Sequence, residues 1–206
     1  MRTPYKKRHS LAAVILAAGE SKRMGRPKAL LPLGEKTFVE KLISDYQQVG
    51  CRPVIVVLGD EADQIQAKIE NLDVLIQINS QPERGPLSSL QIGLKAIPSS
   101  CRGFFFCLVD HPAISIETLQ RLIEKWRANP ECAIRPRFQG RGGHPVLMGC
   151  NWIERVMALP HSSNARQLLR KKSSEVIDLP VSDPGILIDI DTPLDYQQFL
   201  IAQADR

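Results

Sequence analysis

Aromatic residues make up only 5% of the 206-residue sequence, and beyond the lone Tyr5 none stands in a basic cluster. That removes the stacking platforms on which single-stranded nucleic acids are held. No zinc-finger or RNA-recognition spacing occurs either, so nucleic acid is not an expected partner. No apolar run approaches roughly 18 residues, which excludes an expected membrane-spanning helix and a membrane partner. The five cysteines (Cys51, Cys101, Cys107, Cys132 and Cys150) contain no C-x-x-C pair and read as reduced thiols. The four histidines form no H-x-x-x-H or Cys/His cluster, and His111 and His144 each precede a proline, which suits loop shaping more than ligation. Two phosphate-binding signatures are also missing. A Walker A loop needs G-x-x-x-x-G-K-[ST], whereas Gly25 is followed by Arg-Pro-Lys-Ala. The G-x-G-x-x-G fingerprint of an NAD-dependent oxidoreductase is absent too.

What is present describes an ordinary globular chain, 43% hydrophobic and 24% charged, long enough for one domain. Of the net charge of +5, four positives (Arg2, Lys6, Lys7 and Arg8) lie in the first eight residues. Residues 1–10 are therefore read as a flexible basic tail and 11–206 as a single domain. The apolar stretch after the tail is strand-like and has no small-residue cleavage site, so a cytoplasmic protein is expected. The remaining slight positive excess suits anionic small-molecule substrates.

Leu11–Ala18 is an apolar run ending at Gly19, as in a buried parallel strand. Phe38, Leu42, Ile43, Tyr46 and Val49 then form a helical stripe closed by Gly50. Strands are expected at Val54–Leu58, Val74–Ile78 and Phe104–Val109, each followed by a helical pattern. Four strand–helix alternations predict an α/β, doubly wound, mainly parallel sheet. Beyond Ala133, short strands at Ala133–Phe138 and Val146–Met148 flank the Gly-rich turn GRGGHP. Further strands at Val176–Leu179 and Ile186–Ile190 and a final helix from Pro193 complete the pattern.

The loop after the first strand carries the chemistry. In a parallel sheet, ligands bind beyond the carboxyl ends of the strands. Gly19 and Gly25 permit close backbone approach, and Arg23 and Lys28 supply two fixed positive charges for a triphosphate. Asp110 ends the apolar strand FFFCLVD at the same mouth, where it can hold Mg²⁺ or equally cap a turn. Near the C-terminus, ILIDIDTPLDY puts Asp189 and Asp191 two residues apart on one side of the expected strand. Such neighbours repel unless a cation or hydrogen-bond donors offset them. Thr192, Pro193 and Asp195 fit an N-cap, a first-turn proline and an acidic third position. Oxygen ligands of this kind suit Mg²⁺ rather than zinc. Ser88 and Ser89 fit the first turn of a helix equally well, and Gly142, Gly143 and Pro145 fit a hairpin turn.

As a whole, Leu16–Pro32 resembles the L-A-[AG]-G-x-S-x-R-M-G-x-x-K signature of the MobA-like NTP transferase family, with Leu16, Ala17, Ala18, Gly19, Ser21, Arg23, Met24, Gly25 and Lys28 in place. That family includes molybdenum cofactor cytidylyltransferases and guanylyltransferases. The resemblance implies a three-layer α/β/α sandwich of the nucleotide-diphospho-sugar transferase type. It implies that Leu16 and the Ala17–Gly19 backbone hold base and phosphates, Arg23 the β/γ-phosphates and Lys28 the reacting α-phosphate. Asp110-His111-Pro112 matches the family's D-x-P metal-binding context, and DIDTPLD matches D-I-D-T-P-x-D, which implies Mg²⁺ on Asp110 and Asp191, with Asp189 as the alternate. Asn79, Gly85, Ser88 and Ser89 fall on a family segment that contacts the nucleotide. Gly143, His144 and Pro145 fall on the R-G-H-P-[IV]-L segment that lines the acceptor side. The implied reaction joins a nucleoside monophosphate from an NTP to a phosphorylated acceptor and releases pyrophosphate, with CTP and molybdopterin as first choice and a molybdoenzyme as a further partner. Ala17-Ala18, Ser88-Ser89 and GHPVL lean to the cytidylyl branch, whereas Gly85-Pro86-Leu87 leans to the guanylyl branch. His161-Ser162-Ser163-Asn164 departs from the Asp/Gly-containing turn usual before the A-R-x-L-L helix.

Overall fold

The computed structural model describes residues 10–160 and 162–204. The basic tail lies outside them, except that Ser10, which the sequence reading places with the tail, begins the first strand. In chain order the main elements are β1 (Ser10–Ala17), β2 (Pro32–Leu33), β3 (Lys36–Thr37), α1 (Phe38–Gln48), β4 (Cys51–Leu58), α2 (Ala62–Ile69), β5 (Leu75–Ile78), α3 (Pro86–Lys95), β6 (Cys101–Leu108) and α4 (Ile116–Arg127). They continue as β7 (Ala133–Phe138), β8 (Arg141–Gly142), β9 (Val146–Gly149), α5 (Asn151–Met157), α6 (Ala165–Lys171), β10 (Val176–Pro180) and α7 (Pro193–Ala204).

The main sheet runs β10-β7-β9-β6-β1-β4-β5, with β8 hairpinned onto β7. β1 is central and pairs in parallel with β4 and β6, so Leu16 stands between Val57 and Leu108. Its apolar run is explained by that position, because both of its faces are covered. Alternate residues enter two separate cores. Ala13, Ile15 and Ala17 meet α1, α2, α4 and α7, while Ala12, Val14 and Leu16 meet α3, α5 and α6. The result is the three-layer α/β/α arrangement. β9 runs antiparallel between β6 and β7 and interrupts the parallel order.

α1 begins at a reciprocal cap in which Glu40 accepts from the Thr37 backbone at 2.8 Å, and its chain reverses at Gly50 with φ 88°. α3 approaches the sheet closely because Gly93 faces it. A Cβ there would lie well inside van der Waals contact distance of Val14 Cγ1 and 3.0 Å from Val57 Cγ2. Both valines are fully buried and β-branched, so neither can swing aside. Gly93→Ala is expected to destabilise the fold by about 1–3 kcal/mol, read as a lower urea midpoint at unchanged m-value. An unaltered midpoint would show that α3 can retreat without cost.

Two expectations change. Ile186–Ile190 is not a strand: Pro184–Leu187 is a 3-10 turn, capped by the Asp183 carboxylate accepting from Gly185 N–H at 2.8 Å. The backbone there is claimed singly, with His144 N–H donating to Ile186 C=O and Ile190 N–H to Asp110 C=O, so no ladder forms. The hairpin turn falls at Gln139-Gly140, whose φ values are 47° and 78°, not at Gly142-Gly143. All five cysteines are free thiols. No helix among the described residues is long and apolar enough to cross a membrane.

Candidate active site

Parallel pairing delivers the loop after β1 and the end of β6 to the same edge of the sheet. Val109 N–H donates to Leu16 C=O at 3.0 Å, which sets Asp110 beside the Ala18-Gly19 turn. Asn79 N–H donates to Leu58 C=O at 2.8 Å and brings the β5–α3 connection to the neighbouring position. Ile190 N–H donates to Asp110 C=O at 3.1 Å and draws the C-terminal aspartates in from the other side. The segment enters α7 as the sequence suggests. Thr192 caps it, with its backbone and hydroxyl both donating to Asp195 at 2.8 Å.

These strands frame a cleft of about 340 Å³. Leu16, Ala17, Ala18, Gly19, Arg23, Lys28, Gly85, Ser89, Asp110 and Asp191 all line it. At its floor Lys28 Nζ donates to Asp110 Oδ2 at 3.0 Å and to Asp191 Oδ1 at 2.5 Å. Arg23 reaches the other Asp191 oxygen at 2.8 Å from an exposed position. Burial pulls the Lys28 ammonium down, but Asp110 and Asp191 outweigh it and hold Lys28 above its ordinary value. Burial likewise raises Asp191, and Lys28 and Arg23 reverse this and hold it low. Asp189 shifts the other way. Burial and then the charges of Asp110 and Asp191 push its carboxyl up, and His111 and Lys28 offset only part of the rise.

The remaining expected residues lie behind the cleft wall. Asn79 is buried, and its amide donates to Ser88 Oγ at 3.0 Å and Ser89 Oγ at 2.9 Å. Only Ser89 of that trio opens on the cleft. Gly143, His144 and Pro145 do not line it. The His144 ring lies 5.2 Å from that of Phe106 and 4.9 Å from that of His111, and burial followed by His111 lowers its pKa to about 4. Gly143 is needed for packing, since a Cβ would strike the Ile186 carbonyl.

Sequence reasoning missed Gly59 and gave Ser21 no role, yet both shape the loop. A Cβ on Gly59 would lie 2.5 Å from Ala18 C=O, so this glycine lets the end of β4 approach the loop. Ser21 adopts φ 50°, and its hydroxyl accepts from Lys28 N–H at 3.0 Å. Its place in the loop signature was the available clue. By contrast, a Cβ on Gly19 would meet nothing within 4 Å. The protein itself does not fill that space.

Comparison with known proteins agrees with this architecture. The family model described as "MobA-like NTP transferase domain" matches residues 13–176. The chain is 26% identical over 191 residues to the molybdenum cofactor cytidylyltransferase of Escherichia coli, covering 91% of this chain and 94% of that protein. It is 31% identical over 195 residues to a probable molybdenum cofactor guanylyltransferase of Rhodopirellula baltica, covering 90% and 89%. It is also 32% identical over 190 residues to the nicotine blue oxidoreductase of Paenarthrobacter nicotinovorans, covering 88% and 92%. Among solved structures, Rv0371c of Mycobacterium tuberculosis superposes with a TM-score of 0.82 at 26% identity, covering 93% of this chain and 98% of that one. The same protein in complex with manganese gives 0.79 at 25% identity, covering 94% and 99%. On the family match over most of its length, the chain belongs to the MobA-like NTP transferase family of nucleotidyltransferases.

Proposed function

We propose that this chain transfers CMP from CTP to the phosphate of molybdopterin, releasing pyrophosphate. The observation that carries the reading is the convergence of the β1 loop, Arg23, Lys28, Asp110 and Asp191 on one cleft. An acceptor phosphate oxygen attacks the α-phosphorus, the bond from that phosphorus to the β-bridging oxygen breaks, and pyrophosphate leaves. The acceptor is already ionised, so no strong general base is required. Positioning and charge stabilisation carry the catalysis.

In this reading, the space beside Gly19 admits phosphate oxygens to the backbone amides. Lys28 exchanges its carboxylate partners for the α-phosphate, and Arg23 turns from Asp191 to the β/γ-phosphates. Ser89 and Gly85 line the base side, with Asn79 and Ser88 positioning them from behind. Asp110 and Asp191 are the groups that would hold Mg²⁺, which when bound offsets negative charge on the phosphates. Their oxygen donors fit a hard dication, and Asp110 Oδ1 is buried with no hydrogen-bond partner among the described residues. The manganese complex of Rv0371c supports a divalent ion in this fold. Cytoplasmic location and delivery of the product to a molybdoenzyme belong to the same reading.

Guanylyl transfer is the second reading, because Gly85-Pro86 lines the cleft and guanylyl relatives are as similar as the cytidylyl one. Pyrophosphate release should require both an NTP and molybdopterin, and in an equal mixture CTP should be used over GTP. A site built around cytosine's edge excludes a purine by size, and each polar group left unpaired costs about 1–3 kcal/mol. GTP incorporation equal to CTP would overturn the base assignment. Pyrophosphate release from no NTP would overturn the transfer reading and leave a carrier of the finished cofactor.

A further inference from the structure

The carboxylates Glu20, Glu61, Asp110 and Asp191 line the cleft. Glu20 pairs with Lys22, Asp110 with Lys28, and Asp191 with both Lys28 and Arg23, whereas Glu61 has no ion pair among the described residues. Glu61 is half-buried at the entry to α2. Burial pushes its carboxyl above the ordinary value, the Ser21 hydroxyl offsets part of that rise, and Asp60 adds to it. A carboxylate with no counter-ion repels a phosphate chain, so the part of a nucleotide that rests beside Glu61 is not the triphosphate.

The order of the sheet agrees. Asp110 and the Lys28 loop follow the neighbouring strands β6 and β1, and β4 and β5 lie on the flank beyond β1. Glu61 follows β4. Ile65 stands four residues on, on the same face of α2, and also lines the cleft. Pro82 and Pro86 line it from the connection after β5. Ile65 and the two prolines offer apolar surface to a flat base, and Glu61 supplies a polar group among them. A few such polar groups in an apolar wall are what fix a ligand's orientation and identity.

We infer that Glu61 is a base-reading residue, which accepts from the exocyclic amino group of cytosine and turns away uracil nucleotides. The two pyrimidines have the same size and outline, so the cleft walls cannot separate them. Cytosine presents an N4 amino donor where uracil presents a carbonyl oxygen. A carboxylate accepts from the first and is repelled by the second, and a wrong base leaves Glu61 confined without a donor. The inference rests on the reading of the cleft as an NTP site, and it adds a discrimination that exclusion of purines by size does not provide.

The test measures CTP and UTP binding to the full chain by titration calorimetry with Mg²⁺ and without an acceptor. Wild type should bind CTP about tenfold or more tighter than UTP. Glu61→Gln should bring the two within about threefold, weakening CTP while UTP holds or gains, because the carboxamide nitrogen can donate to the uracil oxygen. Glu61→Ala should lose the CTP preference without any gain for UTP. The Glu61 side chain makes no cap hydrogen bond to α2, so both variants should melt close to wild type. Equal affinity of wild type for CTP and UTP overturns the inference. So does an equal loss for both nucleotides in Glu61→Gln, the result expected of a ribose contact or a purely structural role. The transfer reading fails differently: CTP would be preferred as described while no NTP released pyrophosphate. Pyrophosphate release from CTP and UTP at equal rates would sink the Glu61 assignment and leave the transfer reading standing.

Discussion

Lys28→Ala should lower kcat by on the order of 10²–10³-fold while weakening NTP binding only a few-fold. The asymmetry follows from where the ammonium sits. Its side chain is 13% exposed and held between Asp110 and Asp191, so its charge acts in a poorly hydrated place. On the proposed mechanism it meets the α-phosphate, where negative charge shifts during transfer, rather than the outer phosphates that dominate binding. Single-turnover rates and nucleotide titrations separate the two quantities. The variant also leaves two carboxylates without their shared counter-ion, so a melting curve must accompany the kinetics. Equal losses in kcat and affinity would assign Lys28 to binding alone.

Asp110→Asn should cost about 10²–10³-fold in turnover, the equivalent of several kcal/mol of charge stabilisation. Asp191→Asn should also lower turnover sharply. The amide keeps the carboxylate's shape, so the melting temperature should change little. The decisive measurement is rate against Mg²⁺ concentration. Rates matching wild type in both variants at limiting Mg²⁺ would remove these aspartates from the mechanism.

Most of the sheet was legible because buried parallel strands are written as continuous apolar runs, as in Ala12–Leu16 and Val54–Leu58. The expected strand at Ala133–Phe138 matches β7. Ile186, Ile188 and Ile190 alternate as a strand would, yet strand pairing needs a neighbouring edge, and here two different loops take the backbone bonds singly. Antiparallel insertion of β9 was equally hidden, since periodicity carries no direction. At the site, the β1 loop was readable because its residues are contiguous. Gly59 was not, because its constraint is the Ala18 carbonyl of another strand's loop. The meeting of His111 with Asp189 was also missed, because their proximity depends on tertiary closure across the 77 residues between them. Asn79 and Ser88 were found as a group, but only the fold separates the residue that opens on the cleft from those that brace it.

The Lys28 bridge has a consequence for the order in which the molecule is made. Lys28 and Asp110 meet once β1 and β6 have paired, but Asp191 follows far later in the chain. Its approach is secured by α7, where Tyr196 O–H donates to Pro32 C=O at 2.7 Å and Phe199 packs edge-on to Phe38. Domains are synthesised from the N-terminus at about 5–20 residues per second. A ribosome-bound chain can therefore own its central sheet for several seconds while its cleft still lacks one carboxylate. Translation itself delays the competent cleft until the rest of the scaffold is in place.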